Sequence, residues 1–181
     1  MTSIAEPVPG AKAALEAIRE RVGFLPNLAA AMGASAVLST VFDHLQGDLR
    51  PTTLTAAERE VVGLTVSHAN RCPQSMAIHS TFALKVGLDP AAVRALRDGT
   101  QLPDERLRAL HELTRSLLDE RGFVDPARRR AFDAAGYTTE QLFEVIAQVG
   151  YTSIANWVAN VTDVPLEEVF TPQAWVAVAK S

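Results

Sequence analysis

Residues 54–80 read LTAAEREVVGLTVSHANRCPQSMAIHS. Thr55 followed three residues later by Glu58 forms a capping box, in which two side chains satisfy the free N–H groups of a helix start. Behind it Val61, Leu64, Thr65 and His68 recur at the three- and four-residue spacing of one helix face. Pro73 suits the first turn of a second helix, where its missing N–H is no loss, so Cys72 stands at or beside the N-cap. The stretch predicts two consecutive helices, the second running to about Val86 and ending at Gly87.

The same punctuation continues in both directions. A first helix is expected over about Ala11 to Arg21, ahead of Gly23, and a short one past Pro26 in GFLPNLAAAM. Ser35 can cap VLSTVFDHLQGDL, which stops at Arg50-Pro51 because proline disfavours a helical residue before it. Asp89-Pro90 and Asp125-Pro126 pair a cap with a first-turn proline, and Asp104 opens an amphipathic helix through about Asp119. Thr138 and Gln141 make a second capping box before QLFEVIAQVGYTSIANWVANV, so the two longest apolar helices share a layout that suggests a weak internal duplication. Strand signals are almost absent, and the one Asp-Gly pair, Asp98-Gly99, closes a short helix rather than joining two strands, which gives an all-α fold.

A chain of 181 residues fits a single helical domain, 1–181. Within it we expect an N-terminal helical extension over about 1–50, a motif-bearing core over about 51–160, and a C-terminal helix over about 165–181, whose last amphipathic piece begins at Pro172. Seventeen basic against 21 acidic residues, interspersed, leave a net charge of −4, so neither a nucleic-acid footprint nor an anionic-membrane patch is indicated. One cysteine allows no internal disulfide and points to a reducing compartment, the cytoplasm by default. Helices this apolar need partners on several sides, so an interface with other subunits is expected.

Ser75 and His79 are four residues apart and share a helix face, with Cys72 one turn above them at the helix start, where the dipole and free N–H groups favour a thiolate. Glu60 lies on the preceding helix, with His68 two turns further along it as a supporting residue. If the two helices are antiparallel, a carboxylate, an imidazole, a hydroxyl and a thiol converge in one pocket suited to proton transfer. Each residue also has a plainer reading. Cys72 can be a small buried hydrophobe, Ser75 a partner for a first-turn N–H, Glu60 a solvated helix residue, and both histidines part of the core. No metal-ligand spacing is present, and neither a metal nor an organic cofactor is expected.

At these residues the chain resembles the carboxymuconolactone decarboxylase-like proteins, and among them the alkylhydroperoxidase D-type (AhpD-like) branch. That branch carries a glutamate, eleven residues, Cys-x-x-Cys, three residues and a histidine. Here Glu60 is followed by eleven residues, then Cys72-Pro73-Gln74-Ser75, then Met76-Ala77-Ile78, then His79. GFLPNL and ANVTDVPLEEVF are similar to members that carry both halves. The resemblance implies an all-helical bundle, trimers or hexamers, and reduction of organic hydroperoxides by a dithiol recharged through a lipoyl-type donor. It makes Glu60, Cys72, Ser75 and His79 the candidate catalytic set and an alkylhydroperoxidase-like oxidoreductase the expected function. Cys72 is then the redox thiol, His79 the base acting through Ser75 or a water, and Glu60 orients that network.

The chain departs from the pattern at the second cysteine, which is Ser75. A hydroxyl is not oxidised by peroxide and forms no disulfide, so the two-thiol cycle does not run in this sequence. Three alternatives stay open for the serine and its pocket: a replacement that traps a state, a one-cysteine peroxidase rescued by an external thiol, or acid/base chemistry on a small carboxylic acid as in the decarboxylase branch. A helical assembly that keeps the pocket only for binding is the non-catalytic rival.

Overall fold

The structure, a computed structural model, describes residues 6–177. Its centre is the hairpin of α4 (Ala56–Ala69) and α5 (Pro73–Lys85), and the capping box that starts α4 is present: Glu58 N–H donates to Thr55 Oγ1 at 3.2 Å while Glu58 Oε2 accepts from the Thr55 N–H at 2.8 Å. Glu58 is also buried, paired with Arg106 at 3.1 Å. Burial by itself would raise its pKa. The Thr55 hydrogen bonds and the Arg106 guanidinium outweigh it and leave the carboxyl below its ordinary range.

Around the hairpin run α1 (Lys12–Val22), α2 (Asn27–Met32), α3 (Ala36–Asp48), α6 (Pro90–Asp98), α7 (Glu105–Asp119), α8 (Pro126–Ala134) and α9 (Thr139–Thr162). No strand occurs among the described residues. The starts follow the sequence signals: Ser35, Asp89, Asp104, Asp125 and Thr138 each accept a first-turn N–H through the side chain. Gly23 and Gly99 end α1 and α6 in the left-handed conformation that lacks a penalty only for glycine.

Two apolar cores lie on either side of the hairpin. One gathers Leu64, Met76, Leu96, Leu110, Leu113 and Phe132 beneath α6, α7 and α8. The other joins α1, α2 and α3 to α9 through Leu15, Ile18, Met32, Phe42 and Ala155, and it includes Cys72. The longest helix, α9, contacts both α4 and the N-terminal helices.

The C-terminal segment differs from the helix expected over about 165–181. Residues Glu168–Gln173 form a 3-10 helix with Pro172 inside it rather than at its start, 174–177 have no regular structure, and 178–181 lie outside the described residues. Pro172 disfavours α-helical backbone at Thr171. The carbonyls that follow are taken sideways: Arg97 donates to Gln173 O and Ala174 O, both at 2.9 Å, and Trp175 Nε1 donates back to Arg97 O at 3.1 Å. Tertiary hydrogen bonds thus replace helical ones, and they hold Trp175 beside the start of α5. No described helix is long and apolar enough to cross a membrane.

Candidate functional site

The turn between α4 and α5 is fixed from outside. Asn70 donates through Nδ2 to Asn156 Oδ1 at 3.1 Å, and its carbonyl accepts from Asn160 Nδ2 at 3.0 Å, which ties the end of α4 to α9. Arg71 takes a left-handed backbone with φ 48°, and the Cys72 N–H returns to Ser67 O at 3.0 Å. Cys72 is then the N-cap of α5, with Pro73 behind it.

This register sets His79 on α5 against Glu60 on α4, with His79 Nδ1 2.7 Å from Glu60 Oε2. A carboxylate only accepts, so against it the imidazole presents Nδ1–H, and in the neutral ring of that tautomer Nε2 carries the lone pair. Both side chains touch solvent, at 13% for His79 and 19% for Glu60. The ring lies flat on α4 because position 63 is glycine: a Cβ there would stand 2.6 Å from His79 Cε1 and Nδ1. Gly63 is thus part of the site, and its signal was a lone glycine inside an apolar helical pattern, one turn after Glu60.

A second group of polar residues approaches from α9 and α3. Tyr151 stacks on Phe42 at 4.8 Å, and its hydroxyl oxygen accepts from Gln46 Nε2 at 3.2 Å. Gln46 is oriented by Arg21, whose Nη1 donates to Gln46 Oε1 at 2.5 Å while Nη2 pairs with Asp43 at 2.6 Å. Burial, with the nearby Glu60 charge, pushes the Tyr151 hydroxyl up to about 12, although the Gln46 hydrogen bond acts the other way. It is a protonated hydroxyl at neutral pH. Nothing local in the sequence links Tyr151 to Glu60, since α3, α4 and α9 must pack before the Glu60 charge lies near the Tyr151 hydroxyl.

The other two members of the candidate set are buried. Cys72 has no accessible surface and packs in the apolar core of α1, α2 and α9. Ser75 is buried at 3% exposure, and no hydrogen bond joins it to His79 among the described residues. Of the four groups expected in one pocket, Glu60 and His79 are joined directly, while Cys72 and Ser75 are buried and make no hydrogen bond to either of them among the described residues.

His68, expected to support that pair, belongs to a different cluster. Its ring lies 5.8 Å from Trp175, and a Cβ at Gly99 would come within 3.0 Å of it. Burial and the Arg115 charge lower its pKa. Nearby His111 is lowered to about 4 by burial and by Arg115, His68 and Arg128. Thr65 Oγ1 donates to Val61 O at 2.7 Å, so the 2.8 Å contact between Thr65 Oγ1 and His111 Nδ1 is a donation from a neutral imidazole. These are histidines of a packed interior.

Comparison with known proteins agrees with the motif. Residues 35–103, from the α3 cap to the loop before α7, match the model of the carboxymuconolactone decarboxylase family. No match was found among curated proteins. Among solved structures, the fold is similar to an uncharacterized peroxidase-related protein from Silicibacter sp. TM1040, with a TM-score of 0.77 and 21% identity over 95% of this chain and 93% of that one. It is also similar to the alkylhydroperoxidase AhpD core of an uncharacterized peroxidase-related protein from Ralstonia eutropha JMP134, with a TM-score of 0.79 and 19% identity over 97% and 95%. A third is a variant of the debrominase Bmp8 in complex with 2,3,4-tribromopyrrole, with a TM-score of 0.76 and 16% identity over 96% of both chains. The stretch 35–103 is carboxymuconolactone decarboxylase-like in sequence, and the whole chain has the AhpD-like helical fold.

Proposed function

We propose, from the carboxymuconolactone decarboxylase match over residues 35–103, that this chain is an acid/base enzyme acting on a small carboxylic acid through Glu60 and His79. The observation that carries this reading is a difference in exposure: the 2.7 Å Glu60–His79 pair touches solvent, whereas Cys72 has no accessible surface and the second thiol position is Ser75. In the reaction His79 Nε2 takes a proton from a carbon next to the carboxyl group. The C–H electron pair stays on the substrate as an enolate, Glu60 stabilises the imidazolium, and the same nitrogen returns the proton to a different carbon of the conjugated enolate, so that the product is an isomer of the substrate. Tyr151, kept protonated, supplies a hydroxyl on the α9 side. No step passes through a metal or an organic cofactor.

A second reading keeps Cys72 as a redox thiol, and one observation favours it: a cavity of about 320 Å³ has Cys72 in its wall. A hydroperoxide would oxidise the thiolate to sulfenic acid and leave as the alcohol. Two equivalents of an external thiol, or one lipoyl-type dithiol, would then restore the thiol and release water.

The test incubates the protein in D2O with a panel of small carboxylic acids, followed by proton NMR, and separately with an organic hydroperoxide and dihydrolipoamide. Loss of carbon-bound proton signal without hydroperoxide consumption is expected. Hydroperoxide turnover without exchange would replace this reading by the second, and neither activity would leave the binding assembly.

We further propose that the chain is a homo-oligomer. Phe143, Ile146, Trp157 and Val161 form an exposed stripe along α9, with Trp157 60% and Val161 85% accessible, a face that α9 of a second copy could cover.

A further inference from the structure

The cavity at the start of α5 shares no lining residue with the Glu60–His79 pair, and it has a chemistry of its own. It lies between the N-terminus of α5, the last turn of α9 and the returning C-terminal segment, and its volume of about 320 Å³ suits a small organic molecule.

Gln74 gives the cavity its polarity. The side chain is buried at 7% exposure, its Nε2 faces Pro165 O at 3.5 Å, and its Oε1 has no hydrogen-bond partner. Turning the amide over would set two oxygens against each other, so the oxygen is the atom left free. A buried amide oxygen without a donor is unfavourable, and a ligand N–H would relieve it.

Other groups in the wall ask for the same kind of ligand. Asn160 commits its Nδ2 to Asn70 O at 3.0 Å, which leaves its oxygen available. Asp163 brings a carboxylate at the C-terminal end of α9, where the helix dipole is negative and also favours a cation. No lysine or arginine lines the cavity among the described residues. Trp175 has its Nε1–H occupied by Arg97 O at 3.1 Å, so what it offers is a π-face, beside the apolar Val164 and Leu166. One feature pulls the other way: the N-terminus of α5 favours an anion. Its strength is reduced by Pro73, which has no N–H.

We propose that this cavity binds a small organic amine, its ammonium group on Gln74 Oε1 and Asp163 and its hydrocarbon body against Trp175, Val164 and Leu166. The proposal concerns binding of the amine alone, which makes and breaks no bond.

The test compares phenethylamine with 3-phenylpropanoate, which has a similar body and the opposite charge. Binding is followed by fluorescence of Trp175 in a Trp157→Phe background, where it is the only tryptophan, and by calorimetry on the unmodified full chain. Phenethylamine is expected to bind saturably at one site per chain, and Gln74→Leu to weaken it about tenfold or more through loss of a charge-assisted acceptor. Asp163→Asn is expected to weaken it severalfold and to remove most of its salt dependence. Asparagine tolerates the left-handed backbone at this position, φ 47°, so that variant keeps the fold and decides the question should Gln74→Leu melt early. Propanoate binding as tight as amine binding, an amine affinity indifferent to both substitutions, or no amine binding at all would each overturn the proposal.

Discussion

Cys72 and His79 stand seven residues apart, one at the N-cap of α5 and one inside it, yet their surroundings differ. His79 lies over Gly63 with its Nδ1 on Glu60 and part of its surface in solvent. Cys72 belongs to the apolar core of α1, α2 and α9 and has no accessible area. Seven residues are about two turns, so backbone positions nearly align, but the N-cap has left the helix and the Cys72 N–H turns back to Ser67 O. A match in motif spacing therefore does not give every motif residue the same access to solvent.

Glu60→Gln should have the greatest consequence. It keeps the shape but removes the charge that stabilises the imidazolium, and exchange activity should fall about 100- to 10,000-fold. Unchanged exchange rates would mean that the pair is not the working end of the hairpin.

Gly63→Ala attacks the same end through geometry alone. The added Cβ meets the His79 ring at 2.6 Å, so the ring must swing off Glu60 or α4 and α5 must part. A stability loss of about 1–3 kcal/mol is expected in thermal unfolding, together with most of the activity. An active, undisturbed Gly63→Ala protein would show that the flat ring placement is unnecessary.

At the α9 stripe, Trp157→Glu with Val161→Glu should lower the assembled mass in light scattering while the helical circular dichroism stays the same. A mass unaffected by both charges would remove this face as the interface.

A smaller effect is set by pH, in the interior rather than at the site. His111 is lowered to about 4 from its ordinary 6.5, so between those values the unfolded chain holds more protons than the folded one. Stability therefore rises with pH across that window, and acidification from pH 7 to pH 4 should remove on the order of 2 kcal/mol through this group. Urea unfolding of His111→Gln should show a shallower pH dependence over this range. Parallel curves for the two proteins would contradict the burial of a neutral imidazole.

The slightest change is expected at Cys72. Alkylation by iodoacetamide at neutral pH should be slow in the native chain and become fast in denaturant, since the thiol is reached only on opening. Rapid native labelling would mean that the sealed end opens readily.

Much of the fold is legible in the sequence because its signals are local. Thr55 with Glu58, Thr138 with Gln141, and the Ser35 and three Asp caps act within three residues of themselves, and each makes the hydrogen bond its type predicts. The C-terminal segment departs from the expected helix because Pro172 acts with a remote group, the Arg97 guanidinium that takes the Gln173 and Ala174 carbonyls. In the site, the pairing of Glu60 with His79 needs only an antiparallel hairpin. The facing of Cys72 needs α1, α2 and α9, and the placement of Tyr151 needs Gln46 and Arg21, none of which any spacing within residues 54–80 contains. His68 turns the other way because Trp175, over a hundred residues later in the chain, comes back to cover it.

If the chemistry resides at the Glu60–His79 end and not at the thiol, two substitutions must separate. The deciding quantity is the rate of carbon-bound proton exchange in D2O for Cys72→Ala and His79→Gln, prepared and assayed side by side on the same carboxylic acid. Activity retained in Cys72→Ala and lost in His79→Gln is the predicted result. Activity lost in Cys72→Ala and kept in His79→Gln would contradict it and return the reaction to the thiol.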